Sequence, residues 1–117
     1  MSYDLYLCDP VTDETLELDA PHDMRGGTYA VGGTTRCHLS ITYNYGKHCR
    51  ILGEKGIRTL YGLTGAESLP LLQAATALLG DDTDPDYWEP TEGNAKQALL
   101  QLTALAQLRS DGIWRGD

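Results

Sequence analysis

Cysteine and histidine stand side by side twice in the middle of the chain, at Cys37-His38 and at His48-Cys49. Thiolate and imidazole are common zinc ligands in proteins. The spacing does not suit a zinc site, because adjacent residues on a strand point to opposite faces and Cys37 and His38 could not both reach one ion. The sequence also contains no C-x-x-C or H-x-x-x-H spacing. We therefore expect buried thiols and surface imidazoles, with no bound metal and no cofactor.

Residues 80–94, here called the acidic segment, contain six Asp or Glu residues and no Lys or Arg. Aspartates alternate in it as at the start of a calcium-binding loop, but the sixth and twelfth positions of such a loop are Tyr87 and Gly93 instead of Gly and Glu. The segment is therefore either a solvated connection or a surface that binds a protein partner. In the second interpretation the candidate partner-binding residues are Asp82, Asp84, Asp86, Tyr87, Trp88, Glu89 and Glu92.

A basic, tyrosine-rich stretch provides an alternative site. Residues 24–58 contain six Lys or Arg residues and a single acid, Glu54. Tyrosine rings can stack on a nucleobase, while Lys and Arg bind phosphate. The alternative prediction is an anionic nucleotide bound by Tyr43, Asn44, Tyr45, Lys47, Arg50, Arg58 and Tyr61. We further hypothesise that this stretch contacts Tyr87 and Trp88 across the fold.

No recognisable set of residues indicates catalysis. Nucleophilic catalysis needs a nucleophile, a base and an orienting group, and no G-x-S-x-G motif places a serine in such a set. The glycine-rich residues 26–35 do not form a phosphate-binding P-loop, because Gly33 stands where lysine is required. We therefore predict a protein without enzymatic activity. A small metal-dependent hydrolase, using the acidic segment or the cysteine–histidine pairs, is the least favoured alternative.

The elements that must position these residues are strands in the N-terminal half, where apolar and polar residues alternate. Residues 3–8 and 15–19 predict a β-hairpin with one exposed face. Tyr29 marks a short strand between two glycine pairs, and residues 36–43 are the clearest strand. One face of that last strand would carry Cys37, Leu39, Ile41 and Tyr43.

Two helices are predicted in the C-terminal half from the helical spacing of leucine and alanine. Thr64 and Ser68 are both suitable caps for the first helix. We favour a helix over residues 68–79, because Pro70 then falls in the first turn, where proline is tolerated. Thr91 caps the second helix, which ends near residue 109.

Shorter elements complete the prediction. Residues 47–52 can form a short helix that ends at Gly53 in a left-handed conformation. The pattern of residues 56–62 does not distinguish a helix from a strand. Trp114 in the C-terminal tail should fold back onto the core. The resulting fold class is α+β: a small antiparallel sheet from the N-terminal half, packed against the two C-terminal helices in one domain over residues 1–117.

Composition limits the setting in which such a domain works. The net charge is −8, and no apolar run approaches the ~20 residues needed to cross a bilayer, so a membrane partner is not expected. An odd number of cysteines, three, favours a reducing compartment, and we predict a cytoplasmic location because no signal peptide is recognisable. The leucine-rich helices could also pair between copies of the chain, although no heptad pattern requires a homo-oligomer.

Three stretches of sequence, residues 41–45, 52–68 and 86–96, resemble short uncharacterised proteins encoded by phages and prophages of gut Firmicutes. The resemblance implies no catalytic residues. It implies a setting in the host cytoplasm, where small phage proteins often inhibit host defences by binding a nuclease complex or by sequestering a nucleotide signal. A host protein, such as a nucleic-acid-binding defence complex, is then the expected partner, and acids could occupy its nucleic-acid channel as a phosphate mimic.

Overall fold

The computed structural model describes residues 2–22 and 33–117, so the strand predicted around Tyr29 lies outside the described residues. Within these ranges the strands are β1 (Ser2–Cys8), β2 (Glu17–His22), β3 (Thr34–Arg36), β4 (His38–Thr42) and β5 (Ile113–Gly116). The helices are α1 (Gly46–Cys49), α2 (Gly65–Leu78) and α3 (Glu92–Leu108). Three 3₁₀ turns cover Tyr43–Tyr45, Arg50–Leu52 and Gly56–Leu60. The α+β fold class predicted from the sequence is confirmed.

The main sheet has the order β4-β1-β5 and is antiparallel throughout. Leu5 pairs with Leu39 across the first ladder, and Leu7 pairs with Trp114 across the second. All four side chains are completely buried. The face of β1 that carries Leu5 and Leu7 is therefore the centre of the core. The C-terminal tail does more than fold back as predicted, because it adds a strand to this sheet.

The predicted N-terminal hairpin is only partly right. Its turn forms, with a bridge between Cys8 and Thr15 and a hydrogen bond from the Leu16 N–H to the Leu7 carbonyl. Beyond the turn, β2 pairs with β3 in a separate two-stranded sheet, because the edges of β1 are occupied by β4 and β5.

The predicted strand over residues 36–43 is wrong as a single strand. It breaks at Cys37, whose N–H donates to the Leu16 carbonyl and whose carbonyl accepts from the Leu7 N–H. The chain therefore passes from the small sheet to the main sheet at this buried residue. Tyr43 lies in the following 3₁₀ turn rather than in the strand.

Helix α2 begins one turn earlier than predicted. Thr64 is the cap: its hydroxyl accepts from the Glu67 N–H at 3.0 Å, and the Glu67 carboxylate accepts from the Thr64 N–H at 3.0 Å. This reciprocal pair satisfies two backbone donors, which outweighs placing Pro70 in the first turn. Ser68 is instead buried inside the helix, where its hydroxyl donates to the Gly65 carbonyl and accepts from the indole N–H of Trp114.

Helix α3 begins after Thr91 and ends before Arg109, as predicted. Its apolar stripe of alanine and leucine is buried in the core beside α2 and consists of Ala95, Ala98, Leu99, Leu102, Leu105 and Ala106. Within the described ranges, no helix combines the length and the hydropathy needed to cross a bilayer.

The predicted short helix is present as α1 followed by the Arg50–Leu52 turn. It ends at Gly53, but the φ of 160° there is extended rather than left-handed. A Cβ at this position would lie 2.6 Å from Oγ1 of Thr59, so the close approach of the next turn explains the glycine. Helix α1 and the turns Arg50–Leu52 and Gly56–Leu60 together form one corner of the molecule, next to Tyr3 of β1.

Candidate functional site

The acidic segment is held in place by Asn94, in the first turn of α3. This side chain is 6% exposed. Its amide oxygen accepts from the Asp84 N–H at 3.0 Å, and its amide nitrogen donates to the carbonyls of Asp86 and Glu89 at 3.1 and 3.0 Å. One side chain thus fixes three points of the segment. The backbone of the segment is therefore ordered by its contacts with α3.

The acids of the segment also stabilise its own backbone. The carboxylate of Asp84 accepts from the Asp86 N–H at 2.8 Å, and that of Asp86 accepts from the Trp88 N–H at 3.0 Å. Side chains of this type commonly form such turns with the backbone two residues on. The backbone of Asp82 also passes so close to Gly93 that a Cβ there would lie 2.7 Å from its carbonyl oxygen.

The tyrosine-rich stretch after β4 clamps the middle of the acidic segment. The backbone N–H of Thr42 donates to the hydroxyl of Tyr87 at 2.8 Å, and the hydroxyl of Tyr45 donates to the Tyr87 carbonyl. The amide of Asn44 donates to the Trp88 carbonyl at 2.9 Å. The predicted contact across the fold between this stretch and Tyr87-Trp88 is therefore confirmed.

Aromatic packing strengthens this clamp. The ring centroids of Tyr45 and Tyr87 lie 5.4 Å apart, and those of Tyr87 and Trp88 lie 4.9 Å apart, both edge to face. Burial raises the pKa of the Tyr45 phenol, so it stays a neutral donor at physiological pH. Tyr87 is half-buried and contacts the rings of both Tyr45 and Trp88, whereas Trp88 is exposed.

Trp88 and several carboxylates remain exposed on this ordered scaffold. Trp88 is 57% exposed. Asp81 forms an ion pair with Lys96 at 2.7 Å, and Glu92 accepts from the Gly80 N–H. In the part of the chain that the structure describes, no basic group lies within 4.0 Å of the remaining acids of the segment. These acids are Asp82, Asp84, Asp86 and Glu89.

The alternative ligand-binding residues separate into two groups. Tyr45 is 1% exposed, and Tyr45 and Asn44 both donate to backbone carbonyls of the acidic segment. The remaining five lie around the corner formed by the short helical turns: Tyr43, Lys47, Arg50, Arg58 and Tyr61. Arg58 stands 5.8 Å above the ring of Tyr43, and burial raises the pKa of Tyr61 to about 12.

Two residues of these surfaces were not predicted from the sequence. Asn94 stands at the third position of α3, where a capping box would have Glu or Gln, and this substitution is the signal that could have indicated its role. Lys55 lines two open cavities at the corner formed by the short helical turns. No local sequence pattern indicates this role, because the walls of the cavities come from separate turns.

The cysteine–histidine pairs do not converge. Cys37 and Cys49 are buried as predicted, and burial raises their pKa values to about 11 and about 12. A ring nitrogen of His48 lies 2.7 Å from the Pro90 carbonyl, while His38 stacks on the ring of Tyr6. Over residues 2–22 and 33–117, no three His, Cys, Asp or Glu side chains group as metal ligands.

His38 and Ser40 both contact the carboxylate of Asp4, a cluster that sequence analysis missed. The His38 ring nitrogen lies 3.4 Å from Oδ1 of Asp4, and the Ser40 hydroxyl donates to the same oxygen. In a catalytic triad the histidine stands between the serine and the acid. Here the acid stands between them, so the arrangement differs from that of a triad, and the cluster connects β1 to β4.

Comparisons with protein-family models, with curated proteins and with solved structures found no match to this chain.

Proposed function

We propose that the protein is a non-enzymatic binding module that docks on a basic protein surface through the exposed face of the acidic segment. The observation that carries this proposal is the 57% exposure of Trp88 on a segment whose backbone is fixed on both sides. Tryptophan is enriched among the residues that dominate binding energies at protein interfaces. An ordered loop also loses little conformational entropy when it binds.

Charge decides the type of partner. Asp82, Asp84, Asp86 and Glu89 are exposed on the same segment as Trp88. Exposed carboxylates that form no ion pair within the described part of the chain attract a surface rich in Lys and Arg and raise the rate of association with it. Nucleic-acid-binding proteins have such surfaces. Inhibition of a host defence factor, by occupying its nucleic-acid site, is the specific form of the proposal that the phage resemblance favours.

The first experiment removes charge without removing structure. Asp82→Asn, Asp84→Asn and Asp86→Asn are combined in one variant, because Asn keeps the oxygen that accepts the turn hydrogen bonds of Asp84 and Asp86. Tagged wild-type and variant proteins are used to enrich partners from host lysate, and each recovered protein is purified and its affinity measured. We expect to recover a basic nucleic-acid-binding protein, and added DNA should displace it from the wild-type protein. The triple Asn variant should bind this partner at least about tenfold more weakly than the wild type does.

The matched control neutralises three acids elsewhere: Asp13→Asn, Glu14→Gln and Asp19→Asn. All three residues are exposed, and asparagine is compatible with the positive φ of 62° at Asp13. The control variant should bind like the wild type. If both variants weakened binding equally, the interaction would depend only on the net charge of the protein. That result would contradict a specific docking surface.

A further inference from the structure

The structure assigns a second binding site to the corner formed by α1 and the two 3₁₀ turns that follow it. We infer that this corner, here called the basic cleft, binds a small anion that carries two or more phosphate groups. Four of the nine Lys and Arg residues of the chain lie between positions 47 and 58, with one acid among them. These four residues are Lys47, Arg50, Lys55 and Arg58.

Two adjoining open cavities form the basic cleft. The first, of about 300 Å³, is lined by Lys47, Arg50 and Lys55. Gly46 and Gly56 also line it and add no side chain that would fill it. The second, of about 320 Å³, is lined by Lys55 and Arg58. Lys55 belongs to both cavities. The spacing of cations over two cavities suits an extended polyanion better than a single carboxylate or phosphate.

The cations of the first cavity have no internal counterions. In the described part of the chain, no carboxylate lies within 4.0 Å of the charged groups of Lys47, Arg50 or Lys55. Glu54 lines both cavities without pairing with any of them. Unpaired like charges in one cleft focus a positive potential, which here contrasts with a net charge of −8 for the chain.

Arg58 is fixed before any ligand arrives. Its Nε donates to a main-chain oxygen of Asp117 at 2.9 Å, and its guanidinium carbon lies 4.9 Å from the ring centroid of Tyr3 and 5.8 Å from that of Tyr43. A guanidinium held in this way loses less side-chain entropy when it binds phosphate. It therefore provides one ordered anchor beside three cations that form no ion pair in the described part of the chain.

The test is a calorimetric titration of the full chain with sodium tripolyphosphate at low ionic strength, with sulfate at matched ionic strength as the comparison anion. We expect saturable binding of tripolyphosphate at one site and much weaker binding of sulfate. A second titration with ATP distinguishes the source of the phosphates: equal affinity assigns recognition to the phosphates alone, and higher affinity adds a contribution from the nucleoside.

Two substitutions with opposite expected effects exclude misfolding as an explanation. Lys55→Ala removes the cation shared by both cavities and should weaken tripolyphosphate binding about tenfold or more. Glu54→Gln removes the acid that lines both cavities and should strengthen tripolyphosphate binding severalfold. Both residues are exposed, so neither change should unfold the protein. Arg115→Gln, which removes a cation that pairs with Asp13, is the charge-matched control and should leave the affinity unchanged.

The inference is overturned if tripolyphosphate does not bind, or if Lys55→Ala and Arg115→Gln weaken binding equally. Binding of a long single-stranded RNA without any binding of tripolyphosphate would also contradict it. The Asn variant of the acidic segment should retain tripolyphosphate binding, so failure here is distinguishable from failure of the proposed function.

Discussion

At the scale of single residues, Asn94 determines the shape of the candidate site. Its amide makes three hydrogen bonds to the backbone of the acidic segment, and no other side chain described in the chain makes as many to that segment. Asparagine is suited to this position because one oxygen accepts and one nitrogen donates twice. A carboxylate in its place would offer no donor to the two carbonyls.

Asn94→Ala should lower the free energy of unfolding by about 2–4 kcal/mol, because it leaves a backbone N–H and two carbonyls without their partners. Urea denaturation measures this change. Gln97→Ala, at an exposed position on the same helix, is the control and should change stability by less than about 0.5 kcal/mol. A similar small effect for Asn94→Ala would show that the acidic segment is not held as described.

The buried thiols make stability depend on pH in the alkaline range. Burial raises the pKa of Cys37 to about 11 and that of Cys49 to about 12, from an unfolded value of 9.0. Between pH 9.0 and the raised pKa values, the two thiols lose their protons in the unfolded chain but keep them in the folded chain. The free energy of unfolding therefore falls as the pH rises above 9.0. The slope should approach roughly 1.4 kcal/mol per pH unit for each thiol.

Urea titrations at several pH values from 8 to 10.5, under reducing conditions, check this dependence. The double variant Cys37→Ala with Cys49→Ala should be less stable at pH 8 because small cavities form, but its stability should fall less steeply with pH. An unchanged slope in the double variant would assign the alkaline loss to other groups, of which Tyr61 is one.

At the scale of elements, the start of α2 shows how a local signal competes with a residue preference. If the helix begins at Thr64, Pro70 lies beyond the first turn and its ring opposes the Ala66 carbonyl. The capping box and the core contacts of Ser68 maintain the helix despite this proline. The two possible starts therefore predict different mutational effects.

Thr64→Ala should destabilise the protein by about 1 kcal/mol, because it removes the cap of α2. Pro70→Ala should stabilise it by up to about 1–3 kcal/mol, since alanine restores a helical N–H at an exposed position. Thermal unfolding of both variants measures the two effects. A neutral Thr64→Ala together with a destabilising Pro70→Ala would indicate a helix that begins at Ser68.

The sequence predicts α3 well because helical spacing and a threonine cap are local signals. The partners of β1 are not predictable in this way, since β4 and β5 are brought to it from distant parts of the chain. The same distinction applies to the site. The composition of residues 80–94 indicates an acidic, aromatic surface, whereas the bonds from Thr42 and Asn44 that order it arise only when β4 ends beside it.

At the scale of the whole molecule, Trp114 connects the sheet to the helices. Its side chain is completely buried on β5, and its indole N–H donates to the hydroxyl of Ser68 on α2 at 2.9 Å. The tail is therefore part of the core. Trp88, the other tryptophan of the chain, lies at the surface and provides a natural comparison.

Trp114→Phe should lower the free energy of unfolding by about 2 kcal/mol, because the smaller ring leaves a cavity and the hydroxyl of Ser68 loses its donor. Trp88→Phe should change it by less than about 0.5 kcal/mol. Urea denaturation followed by far-UV circular dichroism compares the two variants without relying on tryptophan fluorescence. Equal losses would show that Trp114 does not carry the core contacts described here.

The central claim is that Trp88 and the carboxylates around it form one docking surface for a basic protein. The measurement that tests it most directly is the dissociation constant for the partner recovered from lysate, at 50 mM and at 500 mM NaCl, with three forms of the protein. The claim predicts that Trp88→Ala weakens binding about tenfold or more at both salt concentrations, and that the triple Asn variant weakens it mainly at low salt. Wild-type affinity in both variants would contradict the claim.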